Sequence, residues 1–208
     1  MALSAENPAA HLLIFARYPE LGRVKSRLAA GIGPEAALAV YRELLAHTRA
    51  ATDNLPVHKT VWLAERPQQP DAEPELWPGY QHLLQHPGEL GAKMMTAFSH
   101  AFAAGAQSAV IIGTDCPGIT QALLEQAFEA LHTHELVIGP AEDGGYYLLG
   151  MKEVYADLFA GKSWSTNAVL PHTLADADRL NLRVQLLPML RDVDDAADLA
   201  AWRAALRG

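Results

Sequence analysis

Short apolar runs of strand length alternate with segments of helical period along nearly the whole of this chain. Residues 11–17, 57–65, 108–113, 135–140, 145–151 and 182–188 read as strands, with a shorter candidate at 79–85. Between them, residues 33–54, 88–105 and 119–134 carry apolar side chains at helical spacing, and Pro34 suits a first helical turn. Leu38, Tyr41, Leu45 and Thr48 recur on one face of the first of these helices, and Leu90, Met94, Phe98 and Ala101 on one face of the second. Short helices are expected near 152–160 and 166–178, and a closing helix over 194–208. Residues 66–79 hold Pro67, Pro70, Pro74 and Pro78 and read as an irregular surface loop. Such alternation implies an α/β fold, a mostly parallel sheet with helices on both faces. Ligands of such sheets sit beyond the carboxyl ends of the strands, so chemistry is to be sought just after each strand.

At 208 residues one domain is expected over 1–208, with residues 1–9 a disordered tail. Half of the residues are hydrophobic, enough for a real core. The net charge of −8 argues against a nucleic-acid surface, although an acidic protein can still hold a locally basic site. No apolar run reaches membrane-spanning length, and the first residues, MALSAENPAA, lack the pattern of a secretory signal. The single cysteine, Cys116, allows no internal disulfide. The expectation is a cytoplasmic protein with small-molecule substrates, no nucleic-acid or membrane partner, and an open oligomeric state.

The strand ends carry charge of both signs. After the first strand, RYPELGRVKSRL offers Arg17, Arg23, Lys25 and Arg27 around Gly22, in a chain with only 16 basic residues. A glycine-containing cationic loop entering a helix suits phosphate, and equally an ordinary solvated helix face. No G-x-x-x-x-G-K-[ST] or G-x-G-x-x-G is present, so P-loop and NAD chemistry lose their support. After 108–113 comes Asp115; after 135–140 comes Asp143 with Gly144 and Gly145; after 182–188 come Asp192, Asp194, Asp195 and Asp198. Each acid also has a local reading. Asp115 could form a turn into Pro117, Asp143 could open a turn, and Asp194 or Asp195 could cap the last helix. Together, carboxylates without a His or Cys cluster suit Mg²⁺ or Mn²⁺ in contact with a substrate phosphate.

In order along the chain, FARYPELGRVKSRLA, GELGAKM, IIGTDCPG, GPAEDGGYYLLG, KSWST and RDVDDAADL resemble the DUF2064 family of glycosyltransferase-like proteins. That family lies in the nucleotide-diphospho-sugar transferase, or GT-A, superfamily. The layout is more distantly similar to molybdenum-cofactor and phospholactate guanylyltransferases. The resemblance implies a GT-A-like three-layer α/β/α sandwich. It implies nucleotide-phosphate contacts from Arg17, Gly22, Arg23, Lys25 and Arg27, with Glu89 and Lys93 standing where Asp and Arg are expected. Lys93 keeps the charge of arginine but loses its bidentate geometry. Asp115, Asp192 and Asp194 would hold Mg²⁺ or Mn²⁺. Asp143, Gly144, Gly145 and Tyr146 would line the acceptor or sugar side, with Trp164, Ser165 and Thr166 nearby. Asp115, Asp143 and Lys25 are the residues expected to carry catalysis.

The implied activity is metal-dependent transfer from a nucleotide-activated donor: glycosyl transfer from a nucleotide sugar, with nucleotidyl transfer from an NTP as the alternative. A non-catalytic nucleotide-binding module is a weaker reading, disfavoured by intact Asp115, Asp192 and Asp194. A haloacid-dehalogenase D-x-D-x-[TV] after the first strand, H-E-x-x-H and G-x-S-x-G are all missing. Cys116 beside Asp115 is expected to be an inert thiol. Tyr146 and Tyr147 alternate, so only one of them can face a site.

Overall fold

The computed structural model describes residues 7–67 and 76–207. Its elements follow one another as β1 (Asn7–Ala16), α1 (Ser26–Ile32), α2 (Pro34–Thr52), β2 (Val57–Leu63), β3 (Gln81–Leu84), α3 (Leu90–Ala103) and β4 (Ser108–Ile112). Then come α4 (Gln121–Ala130), β5 (Leu136–Pro140), β6 (Tyr146–Met151), α5 (Val169–Arg179), β7 (Val184–Leu186) and α6 (Ala196–Ala205). The tail expected over 1–9 lies outside the described residues up to position 6, and residues 7–9 already belong to β1. Most of the proline-rich loop also lies outside them. Among the described residues no helix is long and apolar enough to cross a membrane.

The strands form one seven-stranded sheet in the order β3-β2-β1-β4-β6-β5-β7. All pairings are parallel except those of β6, which runs antiparallel to both β4 and β5. The reason is the link: only residues 141–145 separate β5 from β6, too few for the crossover that a parallel pair needs. Strand residues alternate between two cores. Leu12 and Ile14 pack on one face with Tyr41 and Leu45 of α2 and Leu124 of α4. Leu13 packs on the other with Met94 and Phe98 of α3 and Ala177 of α5. The result is the α/β/α sandwich that the sequence implied.

Three local differences bear on the site. A short helix, α1, stands between the basic loop and α2, and Gly33 at φ +87 breaks the two apart ahead of Pro34. Only a 3-10 turn at Ala156–Leu158 forms where a helix was expected near 152–160. Leu90, expected on the buried face of α3, is 40% exposed, because that face consists of Gly91, Met94, Ala97, Phe98 and Ala101.

Candidate active site

Because β1, β2 and β4 are parallel, their carboxyl ends share one edge of the sheet, and the antiparallel β6 begins at that same edge. A cleft of about 460 Å³ opens there. Arg17 follows β1 into its wall, Ala64 follows β2, Gly113, Thr114 and Asp115 follow β4, and Tyr146 opens β6. Lys25 and Arg27 enter from the head of α1, Lys93 and Met94 from α3, and Asp194 from just ahead of α6.

The loop after β1 turns at Gly22, φ +75, and ends at Lys25, which caps α1 in the left-handed region at φ 50. A non-glycine residue held there marks a position the surroundings impose. Its Nζ lies 2.8 Å from Asp115 Oδ1 and 3.3 Å from Asp194 Oδ1, with the side chain only 5% exposed. Arg27 pairs with the other oxygen of Asp194. Arg17 Nη1 stands 3.7 Å from Glu65 Oε1, and Arg23 is bound by Glu65 and Glu20. Each cation of the basic loop is thus met by carboxylate.

The acids are placed by backbone. Val193 N donates to Asp115 O at 2.9 Å, and the Val193 side chain is buried with Leu28, Val40 and Leu44. This clasp brings the RDVDD segment beside the end of β4. Asp195 and Asp198 form a capping box on α6, each accepting from the other's end of the turn. Asp195 is therefore the cap of the last helix, and Asp194 is left to Lys25 and Arg27. Burial pushes the half-buried Asp192 carboxyl up to about 7, with further push from Asp115, Asp194 and Asp143. Cys116 is buried, its Sγ 3.5 Å from Arg191 O. Burial and then Asp192, not the adjacent Asp115, push its thiol up to about 12. The thiol is thus held protonated, through a different neighbour from the one the sequence suggested.

The edge holds two polar residues that sequence reasoning did not single out. The Tyr41 hydroxyl accepts from Arg17 N at 2.9 Å, reaches Arg17 O at 3.1 Å, and lies 3.3 Å from Thr114 Oγ1. Burial first, then Asp115, pushes this phenol up to about 12. Searching after each strand reaches Thr114, whereas Tyr41 carries only the signal of a helix face.

The cleft gathers Arg17, Lys25, Arg27, Lys93, Asp115, Tyr146 and Asp194. Gly22, Arg23, Glu89, Asp143, Gly144, Gly145, Trp164, Ser165, Thr166 and Asp192 stand outside its lining. Asp143 Oδ1 accepts from Gly145 N at 2.8 Å, closing a local turn. Gly144, φ +88, lies where a Cβ would stand 2.6 Å from the Asn167 backbone, so only glycine fits. The Trp164 ring covers Gly91 at the head of α3, where a Cβ would meet it at 2.4 Å. Ser165 and Thr166 are exposed, and Thr166 Oγ1 donates to Ser163 O at 2.7 Å. Tyr146 reaches Met94 Sδ at 3.9 Å, while Tyr147 bonds Pro188 O at 2.9 Å on the opposite core. The pair therefore divides between the two faces.

Among the described residues no three His, Cys, Asp or Glu side chains stand together as a ready metal-binding group. The donor chemistry nonetheless fits a hard divalent cation. Asp115, Asp192 and Asp194 offer only carboxylate oxygen, the donor that Mg²⁺ and Mn²⁺ take.

A family model described as an uncharacterized protein conserved in bacteria (DUF2064) matches residues 46–166. No curated protein matches the chain. Among solved structures, a protein of Desulfovibrio desulfuricans G20, provisionally named a nucleotide-diphospho-sugar transferase, is similar at 30% identity. The match covers 93% of this chain and 86% of that one, with a TM-score of 0.88. Rv0371c of Mycobacterium tuberculosis H37Rv, solved in complex with manganese, shares the fold at 16% identity, 96% and 98% coverage and a TM-score of 0.57. So does the inositol-1-phosphate CTP transferase of T. maritima, at 14% identity, 97% and 96% coverage and a TM-score of 0.59. With more than half of its length matched by the family model and a 30% identical relative along nearly all of it, the chain belongs to the DUF2064 family.

Proposed function

We propose that this protein is a divalent-metal-dependent transferase that uses a nucleotide-diphospho-sugar as donor, with residues 1–208 acting as one GT-A-like domain. The observation that carries the reading is the pairing of a buried Lys25 with Asp115 and Asp194 at the carboxyl ends of the strands. A lysine suited to phosphate and carboxylates suited to a hard cation line one cleft. The sugar donor rests on the 30% identity to the D. desulfuricans protein.

In this reading Arg17, Lys25, Arg27 and Lys93 meet the diphosphate, with Gly22, Arg23 and Glu89 shaping the loops at its mouth. Asp115, Asp192 and Asp194 would hold Mg²⁺ or Mn²⁺, which when bound withdraws charge from the leaving diphosphate. Lys25 adds a fixed positive charge where the diphosphate's negative charge grows. Tyr146, with Asp143, Gly144 and Gly145 at the turn before it, bounds the acceptor side, and Trp164, Ser165 and Thr166 lie beyond. The substrates are small molecules, consistent with an acidic protein that offers no basic stripe to nucleic acid.

Nucleotidyl transfer from an NTP to a small phosphorylated acceptor is the second reading. It is favoured by the cationic left-handed loop at Lys25, set in a fold shared with the T. maritima CTP transferase. A thermal-shift series with UDP- and GDP-sugars, GTP and CTP, with and without Mn²⁺, separates the two. The expected outcome is a metal-dependent shift with nucleotide sugars that is lost in Asp115→Ala and weakened in Lys25→Ala. A shift with NTPs alone supports the second reading. An undiminished metal-dependent shift in Asp115→Ala overturns the metal assignment.

A further inference from the structure

Lys25 is not placed like an ordinary phosphate-binding lysine waiting for its ligand. Its ammonium is buried, 2.8 Å from the Asp115 carboxylate after β4 and 3.3 Å from that of Asp194 ahead of α6. Those two are among the three carboxylates proposed to hold the divalent cation. The left-handed backbone at φ 50 turns the residue inward at the head of α1, and no side-chain cap is made there. One singly charged group therefore stands between Asp115 and Asp194, and it is the residue proposed to bind the donor's diphosphate. Arg27 offers an internal comparison. It touches Asp194 but not Asp115, and its side chain is 74% exposed.

We propose that Lys25 serves as a built-in stand-in for the divalent cation, so that metal and diphosphate bind together and metal alone binds poorly. This rests on the metal site proposed above. Donor arrival gives the ammonium a new anionic partner, and the lysine moves from carboxylate to phosphate. That movement frees Asp115 and Asp194 for the cation, which takes the place the ammonium held. The cleft thus discriminates against free metal, and against a metal-free donor, without any moving domain.

The test is Mn²⁺ alone, titrated by electron paramagnetic resonance into wild type, Lys25→Met, Lys25→Asn, Arg27→Met and the double variant Lys25→Asn with Asp115→Asn. Asparagine tolerates the left-handed backbone, so a folding failure of the methionine variant leaves the question open to measurement. The expected result is Mn²⁺ affinity at least tenfold higher in both Lys25 variants than in wild type, a smaller gain in Arg27→Met, and loss of the gain in the double variant. Equal gains in Lys25 and Arg27 variants would reduce the effect to net charge and overturn the inference. So would unchanged affinity in the Lys25 variants, while wild-type Mn²⁺ binding that needs Asp115 would leave the metal site itself standing. Gain that survives Asp115→Asn places the ion elsewhere, and no binding in any protein overturns both.

Discussion

The Tyr41 hydroxyl is a single atom that ties two strand ends together. It satisfies both backbone groups of Arg17 after β1 and reaches Thr114 after β4, next to Asp115. Removing it leaves buried polar groups without a partner, a loss of about 1–3 kcal/mol. Tyr41→Phe is therefore expected to lower the melting temperature and to weaken the metal-dependent nucleotide shift, because Arg17 and Asp115 lose their common support. A variant with wild-type melting and wild-type shift would return Tyr41 to simple packing. This residue also marks where sequence reasoning stops. Asp115, Lys25 and Asp194 were legible because each follows a strand or precedes a helix, where sheet geometry collects ligands. Tyr41 sits mid-helix with an apolar face, and nothing in the spacing separates its hydroxyl from its ring. Trp164 was the reverse case. The resemblance puts it near the acceptor side, and its ring lies over Gly91.

At the scale of elements, the β5–β6 hairpin is held from outside by Glu135. Its carboxylate binds the guanidinium and backbone N–H of Arg183 just ahead of β7, and Lys152 just after β6. These bonds, led by the Arg183 side chain, hold the acid well below its ordinary value. A depressed carboxyl stabilises the fold above its unfolded value, here 4.5, and the contribution is lost as pH falls below it. Glu135→Gln is expected to lose about 1 kcal/mol at neutral pH, the scale of a bidentate pair near the surface. Denaturant melts at pH 7 and pH 3 check the sign: the difference from wild type should shrink at pH 3, and a constant difference would assign the effect to packing. The elements themselves were largely legible, since fully buried strands give continuous apolar runs. The antiparallel direction of β6 was not read from the sequence, where its short link is the one signal that carries it. The helix α1 was not legible, because about two turns leave too few residues for a period to show.

At the scale of the whole molecule, the site works against the stability of the fold that carries it. Asp192 is half-buried and, secondarily, crowded by Asp115, Asp194 and Asp143, and its pKa is pushed from 3.8 up to about 7. Between those values the folded protein keeps a proton that the unfolded chain has released, so folding stability falls as pH rises through that window. Above pH 7 the carboxylate is charged in both states and the penalty is at its full extent. The slope is about 1.4 kcal/mol per pH unit at most, and solvent reaching the half-buried group keeps the total over the window to at most a few kcal/mol. Asp192→Asn lacks this group. In EDTA it is expected to melt higher than wild type at pH 8, with the advantage shrinking steadily toward pH 4. With Mn²⁺ and a nucleotide sugar present the order should reverse, because wild type gains ligand stabilisation that the variant cannot. Paired thermal scans across pH, with and without ligand, read both halves at once. An Asp192→Asn protein no more stable than wild type at pH 8 would show that the carboxylate is already compensated within the fold, and would remove the electrostatic reason for a dication beside it.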